Sequence, residues 1–124
     1  MTPEHQTRLR RVAEAVREEV AALLADEVKD PGAVGAVVTR VEMANDLRSA
    51  RIHVRLLEAS DEEARRRKLT EALERASGLL RRELTHRLGL RFAPSLRFFY
   101  DNGLDNTTRV EQLLAEIEAE RSQK

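Results

Sequence analysis

The chain contains no cysteine, which removes disulfides, thiolate nucleophiles and zinc–thiolate sites together and fits a reducing compartment. No run approaches the ~20 apolar residues that a membrane-spanning helix needs, and the charged N-terminus lacks the apolar core of a signal peptide. A cytoplasmic protein without a membrane partner is therefore expected. Nor does one charge dominate, since Lys and Arg total 22 and Asp and Glu total 22 in 124 residues. Net charge points to no nucleic-acid partner, so any electrostatic reading rests on clustering. Catalytic signatures are missing too. His5, His53 and His86 stand far apart with no ligand-type residue four positions on. The carboxylates form no recognisable acid–base pair, and neither a phosphate-cradling glycine loop nor a Ser-His-Asp arrangement is present. No metal, no cofactor and no enzymatic activity are expected. Aromatic residues are scarce, three Phe and one Tyr, so Phe92, Phe98 and Phe99 are expected to fill the core, with Phe99 and Tyr100 the ones that suit a surface contact.

A chain of this length suits one domain with one core, and its hydrophobic period changes along its length. Leu9, Val12, Ala13, Val16, Val20, Leu23 and Leu24 recur at i, i+3, i+4 spacing, predicting a first amphipathic helix that ends before Asp30-Pro31-Gly32. From Val37 the period drops to two. Val37, Thr39, Val41 and Met43 are expected on one face, with Val38, Arg40 and Glu42 on the other. In a second strand Ala50, Ile52, Val54 and Leu56 alternate with Arg51, His53 and Arg55. The turn-rich Asn45-Asp46 between them predicts an antiparallel hairpin. The outward Arg51, His53 and Arg55 read as an ordinary wet sheet face.

Ser60 with Glu63 forms a capping box opening a helical stripe of Leu69, Leu73, Ala76, Leu80, Leu84 and Leu88. Near its middle stands Ala76-Ser77-Gly78, and a glycine inside a helix costs roughly 1 kcal/mol relative to alanine. Two helices meeting at a kink, with Gly78 at a close backbone approach, is the expected arrangement. Gly89 can stop the second helix, Leu96 to Tyr100 read as a third strand, and Asp101 suits a local turn at Asn102-Gly103. Thr108 with Glu111 makes another capping box, before a terminal stripe of Val110, Leu113, Leu114 and Ile117. The order is helix, strand, strand, helix, helix, strand, an α+β domain of two layers with its helices on one face of the sheet.

That order, together with several stretches, resembles the ribosome-binding factor A family of bacterial small-subunit assembly factors, whose fold is type II KH-like. The stretches are residues 11–20 (RVAEAVREEV), Val28-Lys29-Asp30-Pro31, Val41-Glu42-Met43, Asp46-Leu47-Arg48-Ser49-Ala50, residues 76–84 (ASGLLRREL), Arg91-Phe92-Ala93-Pro94-Ser95-Leu96, Phe98-Phe99-Tyr100-Asp101 and Arg109-Val110-Glu111-Gln112-Leu113-Leu114. The resemblance spans residues 7 to 115. It implies a KH-like domain over residues 1–104, with an Ala-x-Gly kink where typical KH domains carry a Gly-x-x-Gly clamp. Residues 105–124 then form an added C-terminal helix and polar tail. It also implies a monomer that binds the free, immature small ribosomal subunit, through its rRNA and neighbouring ribosomal proteins, and promotes late rRNA maturation, with a role in the cold. Gly32-Ala33 departs from the basic residue expected after Asp-Pro, and Asn106-Thr107 from a commoner glycine.

Charge clustering supplies candidate contacts. Between Arg65 and Arg91 there are nine basic residues against three acids. Arginine makes planar, multidentate contacts to phosphate, and counterion release would supply a sequence-independent affinity. Arg75, Arg81, Arg82 and Arg87 lie nearest the kink and are the first candidates; Arg8, Arg10 and Arg11 on the first helix form a second cluster. On composition alone, a solvated helix face is the better account of the first cluster and a solvated terminus an equal account of the second, and arginine richness also fits a GC-rich genome. The resemblance favours ribosomal RNA, with a stand-alone KH-type RNA binder or a protein–protein interaction module as the alternatives.

Overall fold

The computed structural model describes residues 2–58 and 62–102, and beyond them residue 114 and residues 117–120. Helix α1 (Pro3–Asp26) begins earlier than the apolar spacing predicts, because Pro3 suits the first helical position and the Thr2 hydroxyl oxygen accepts from the His5 N–H at 3.2 Å. A 3₁₀ turn (Pro31–Ala33) follows, then the strands β1 (Ala36–Met43) and β2 (Ser49–Leu56). Helices α2 (Glu63–Arg75) and α3 (Ser77–Leu88) lead into β3 (Ser95–Tyr100). The expected α-β-β-α-α-β order is the observed one.

The three-stranded sheet has β2 at its centre, antiparallel to β1 and parallel to β3. All three helices pack on one face. Val16, Val20 and Leu23 of α1, Leu69, Ala72 and Leu73 of α2, and Leu80 and Leu84 of α3 are buried against Ala50, Ile52, Val54, Leu56, Leu96 and Phe98. The alternation read in β2 holds, but that of β1 does not. The register shifts between Val38 and Arg40, so Ala36, Val38, Val41 and Met43 reach the core face, opposite Leu56, Val54, Ile52 and Ala50. A one-residue bulge has turned the first half of the strand over. Thr39, at the bulge, donates its hydroxyl to the Asp101 carboxylate at 2.7 Å. Asp101 therefore ties the end of β3 across the sheet, and the local turn expected at Asn102-Gly103 runs outside the described residues from Gly103 on.

The hairpin loop turns through an Asx motif, the Arg48 N–H donating to Asp46 Oδ1 at 3.0 Å, and the left-handed residue is Leu47 at φ 62°. α2 starts later than the Ser60 box implies: its N-cap is Glu62, with no side-chain cap. Ser60 itself lies outside the described residues, as do Thr108, Val110, Glu111 and Leu113 of the expected terminal stripe; Leu114 and residues 117–120 are helical. Gly89 closes α3 at φ 61°, with its N–H donating to the Thr85 carbonyl.

The helical stripe does break, at Ala76, into α2 and α3. The close approach expected of Gly78 is absent, since a Cβ built there would meet nothing within 4 Å. It occurs instead at Gly32, where a Cβ would fall 2.8 Å from the Lys68 carbonyl oxygen and 3.0 Å from the Ala72 Cβ. The 3₁₀ turn lies flat on α2, and Arg65 holds it there, donating to the carbonyls of Gly32 at 3.0 Å and Val34 at 2.8 Å. Gly32 is thus the departure from the family pattern that this packing requires. In chemical denaturation Gly32→Val should lose about 1–3 kcal/mol by overpacking. Gly78→Ala should hold its stability or gain up to about 1 kcal/mol, and a loss at Gly78 with none at Gly32 would contradict this packing.

Candidate nucleic-acid interface

The basic segment from Arg65 to Arg91 forms α2, α3 and the loop after them, and tertiary structure sorts its arginines into two kinds. Several are ties. Arg75 Nε lies 2.8 Å from Asp30 Oδ2, while Asp30 Oδ1 accepts from the Gly32 N–H at 2.9 Å, so this pair anchors the end of α2 to the 3₁₀ turn. Arg81 Nε donates to the Pro94 carbonyl at 3.0 Å and its second nitrogen to the Ala93 carbonyl at 3.3 Å, holding the approach to β3. Arg87 bridges Glu19 of α1 and Glu83 of its own helix, each at 3.4 Å. Three of the four candidates nearest the kink therefore also hold the fold together, which the sequence reading did not anticipate.

Arg82 is the exception. It is exposed and has no hydrogen-bond or ion-pair partner among the described residues. Gly78, Arg82 and His86 are all exposed and follow one another at i, i+4 spacing, forming one open stripe along α3 that starts at the break. With no side chain at Gly78 and no covering group near it, the backbone at the start of α3 is accessible. Arg67 and Lys68, earlier on α2, are exposed as well. Arg8, Arg10 and Arg11 are exposed near the start of α1, at the other end of the helical layer from the break. There Arg8 lines an open cleft of about 530 Å³ with Leu47, Leu88, Arg91 and Phe92.

The sequence reading misplaced two aromatic residues, one of which lines this cleft. Phe92, expected in the core, is 46% exposed, with the Arg48 guanidinium 4.4 Å from its ring centre and that of Arg91 at 5.5 Å. Tyr100, expected at the surface, is half-buried and engaged instead: its hydroxyl accepts from the Leu56 N–H at 3.3 Å, and Arg66 lies over its ring at 4.4 Å. Phe98 alone of the three phenylalanines is buried. Among the described residues there is no cluster of three or more side chains able to hold a metal ion, and no helix is long and apolar enough to cross a membrane.

The family model for ribosome-binding factor A matches residues 8–114. The chain belongs to that family. Its relatives include the ribosome-binding factor A of Sorangium cellulosum, 49% identical over 110 residues, covering 89% of this chain and 88% of the relative. That of Geobacter sulfurreducens is 40% identical over 114 residues and covers 92% and 94%. Among solved structures, the crystal structure of ribosome-binding factor A from Thermus thermophilus aligns with a TM-score of 0.54 at 26% identity, covering 73% of this chain and 89% of that one. The solution structure of a Thermotoga maritima protein assigned as a ribosome binding factor A aligns with a TM-score of 0.58 at 27% identity, covering 85% and 95%. The architecture is thus the family's KH-like one, with the Ala76-Ser77-Gly78 break between its paired helices.

The Arg75 tie has a pH signature. The Arg75 guanidinium, and after it the Gly32 N–H, holds the Asp30 carboxyl below the ordinary aspartate range. A carboxyl depressed in the folded state stabilises it fully above the ordinary value and loses that contribution as pH falls through the depressed one. Asp30→Asn keeps the acceptor for Gly32 and removes the charge. Its stability should fall short of the wild type's at neutral pH, and the gap should close on acidification below the carboxylate range; a gap independent of pH in denaturation curves would contradict the tie.

Proposed function

We propose that this protein acts by binding, without catalysis, and that its partner is the free, immature small ribosomal subunit. Membership of the ribosome-binding factor A family carries the partner class. The open stripe of Gly78, Arg82 and His86 is the feature that best supports a contact with rRNA phosphate on this chain. An accessible backbone with an unpaired guanidinium one turn away suits a sugar–phosphate strand, and it stands where other KH domains place their glycine clamp. Arg67 and Lys68, and at the far end Arg8, Arg10 and Arg11, add positive charge able to take further phosphates. Bound so, a monomer would hold rRNA in a conformation that favours late maturation, in the cytoplasm, with greatest effect in the cold, where RNA misfolding is slowest to resolve. Arg75, Arg81 and Arg87 contribute by holding the helices in place, and residues 105–124 extend the domain.

Two measurements test this reading. In co-sedimentation the protein should pellet with free small subunits, more with immature than with mature ones, and poorly with translating ribosomes; equal binding to naked RNA of any kind would overturn it. Arg82→Glu should weaken subunit binding and reduce the slope of log affinity against log salt by roughly one unit for each phosphate it no longer neutralises. Its melting should stay within about 0.5 kcal/mol of wild type, as for other exposed substitutions. An unchanged slope would assign Arg82 to solvation and shift the phosphate site to Arg8, Arg10 and Arg11.

A further inference from the structure

The sheet has a second face, turned away from the helices, and its residues are arranged at a cost. Arg51 of β2 and Arg97 of β3 are direct register neighbours, and like charges side by side on adjacent strands destabilise a sheet. Arg55 follows Arg51 on the same face, about 13 Å along the strand at ~3.3 Å per residue. Midway between them stands His53, with Phe99 as its neighbour on β3. The imidazole is only 8% exposed while the Phe99 ring is 40% exposed; their centroids are 5.6 Å apart in a stacked arrangement at 28°. The histidine is fixed from the other side, its Nε2 lying 2.7 Å from Glu42 Oε1. Arg40 reaches the same carboxylate oxygen at 3.4 Å.

The acids of this face are committed elsewhere: Asp101 accepts from Thr39 at the end of β3, and Glu42, contacted by His53 and Arg40, is also the register neighbour of Arg51. Burial raises the Glu42 carboxyl, but the His53 hydrogen bond and the charges of Arg40, His53 and Arg51 together outweigh that and hold it below the ordinary glutamate range. Arg51 faces Glu42 across the β1–β2 register without a direct ion pair, and Arg55 and Arg97 have no hydrogen-bond or ion-pair partner among the described residues. A half-exposed aromatic ring thus has guanidiniums on either side along the strand direction, none of them held by a hydrogen bond to a described residue.

A ligand that offsets both costs must be a polyanion carrying flat apolar groups. We propose that this sheet face binds single-stranded RNA, with one unpaired base stacked on Phe99 and the flanking phosphates held by Arg51, Arg97 and Arg55. Duplex RNA is excluded because its bases are already stacked on both faces and its edges sit inside grooves. The inference rests on RNA being the partner and adds a contact on the opposite side of the domain from the α3 stripe, so that the protein grips two strands, or two parts of one, between which it is wedged.

The test uses the full chain and a short labelled oligouridine, read by fluorescence anisotropy across a salt series, beside an RNA duplex of equal length. The single strand should bind more tightly than the duplex. Phe99→Leu keeps the side chain apolar and should weaken it by roughly 5- to 150-fold, the worth of one base stacked on an aromatic ring. The double variant Arg51→Gln, Arg97→Gln should lower the salt slope by roughly 1.4 units for two single-strand phosphates and should stay folded by circular dichroism, since the lost attraction to Glu42 is offset by the lost like-charge pair. Unchanged oligonucleotide affinity in both variants, as expected if a protein partner or the chain's own C-terminal segment covers this face, overturns the proposal while co-sedimentation with small subunits leaves the family reading standing. Failure of the wild type to co-sediment, with oligonucleotide binding present and abolished in Phe99→Leu, overturns the subunit reading and supports this one.

Discussion

β3 lies parallel to β2, and that one pairing dictates the course of the chain between them. A parallel neighbour requires the chain to return to the strand's starting end, through a connection of a dozen or more residues that lies on the sheet. A straight helix over residues 63–88 would run about 39 Å at 1.5 Å per residue, while the eight residues of β2 extend about 26 Å. The connection must fold within that span and bury one side along its whole length. Breaking the helix at Ala76 does this: Leu69, Ala72 and Leu73 reach the core from one segment, Leu80 and Leu84 from the other.

The break also decides what the surface offers. Among the described residues, arginines that reach across elements hold the two segments: Arg65 and Arg75 on the 3₁₀ turn, Arg66 on Asn102 after β3, Arg81 on the approach to β3, Arg87 on α1. Exposed ion pairs of this kind are each worth little in isolation, but here they fix the ends of short helices that have no side-chain caps at their N-termini. What is left over, on the outside of α3 and on the bare side of the sheet, is positive charge without a structural role. A protein neutral overall thereby presents local clusters of basic charge.

Much of this was legible in the sequence. Period-two and period-3.6 patterns located the elements, and Ala76-Ser77-Gly78 marked the break, because buried faces impose their spacing locally. Two things were not legible. The bulge at Thr39 inverted half of β1, since alternation can be counted only from an assumed phase, and the residue that resets it has a side chain bonded to Asp101, 62 positions away. The sorting of arginines into ties and free groups was equally hidden, for Arg75 meets Asp30 and Arg87 meets Glu19 only after folding. Gly78 and Gly32 exchanged their expected roles for the same reason: which glycine faces a neighbouring backbone is a property of packing. Phe92 and Tyr100 were misjudged because an aromatic residue carries the same local signal whether it fills a core or stands beside arginines at the surface.

The central position of β2 has a consequence for how the chain is made. Synthesis delivers α1, β1 and β2 first, and these can pair and collapse at once, but the far edge of β2 waits for Ser95 to Tyr100 to leave the ribosome. Until then the most buried strand among the described ones carries an open row of hydrogen-bonding groups, the condition under which nascent chains pair with one another. Arg51 and Arg55 stand on that strand throughout the wait. Their mutual repulsion with copies of themselves guards the edge of the unfinished sheet, so the charges that burden the folded face also keep the half-made one apart from its neighbours.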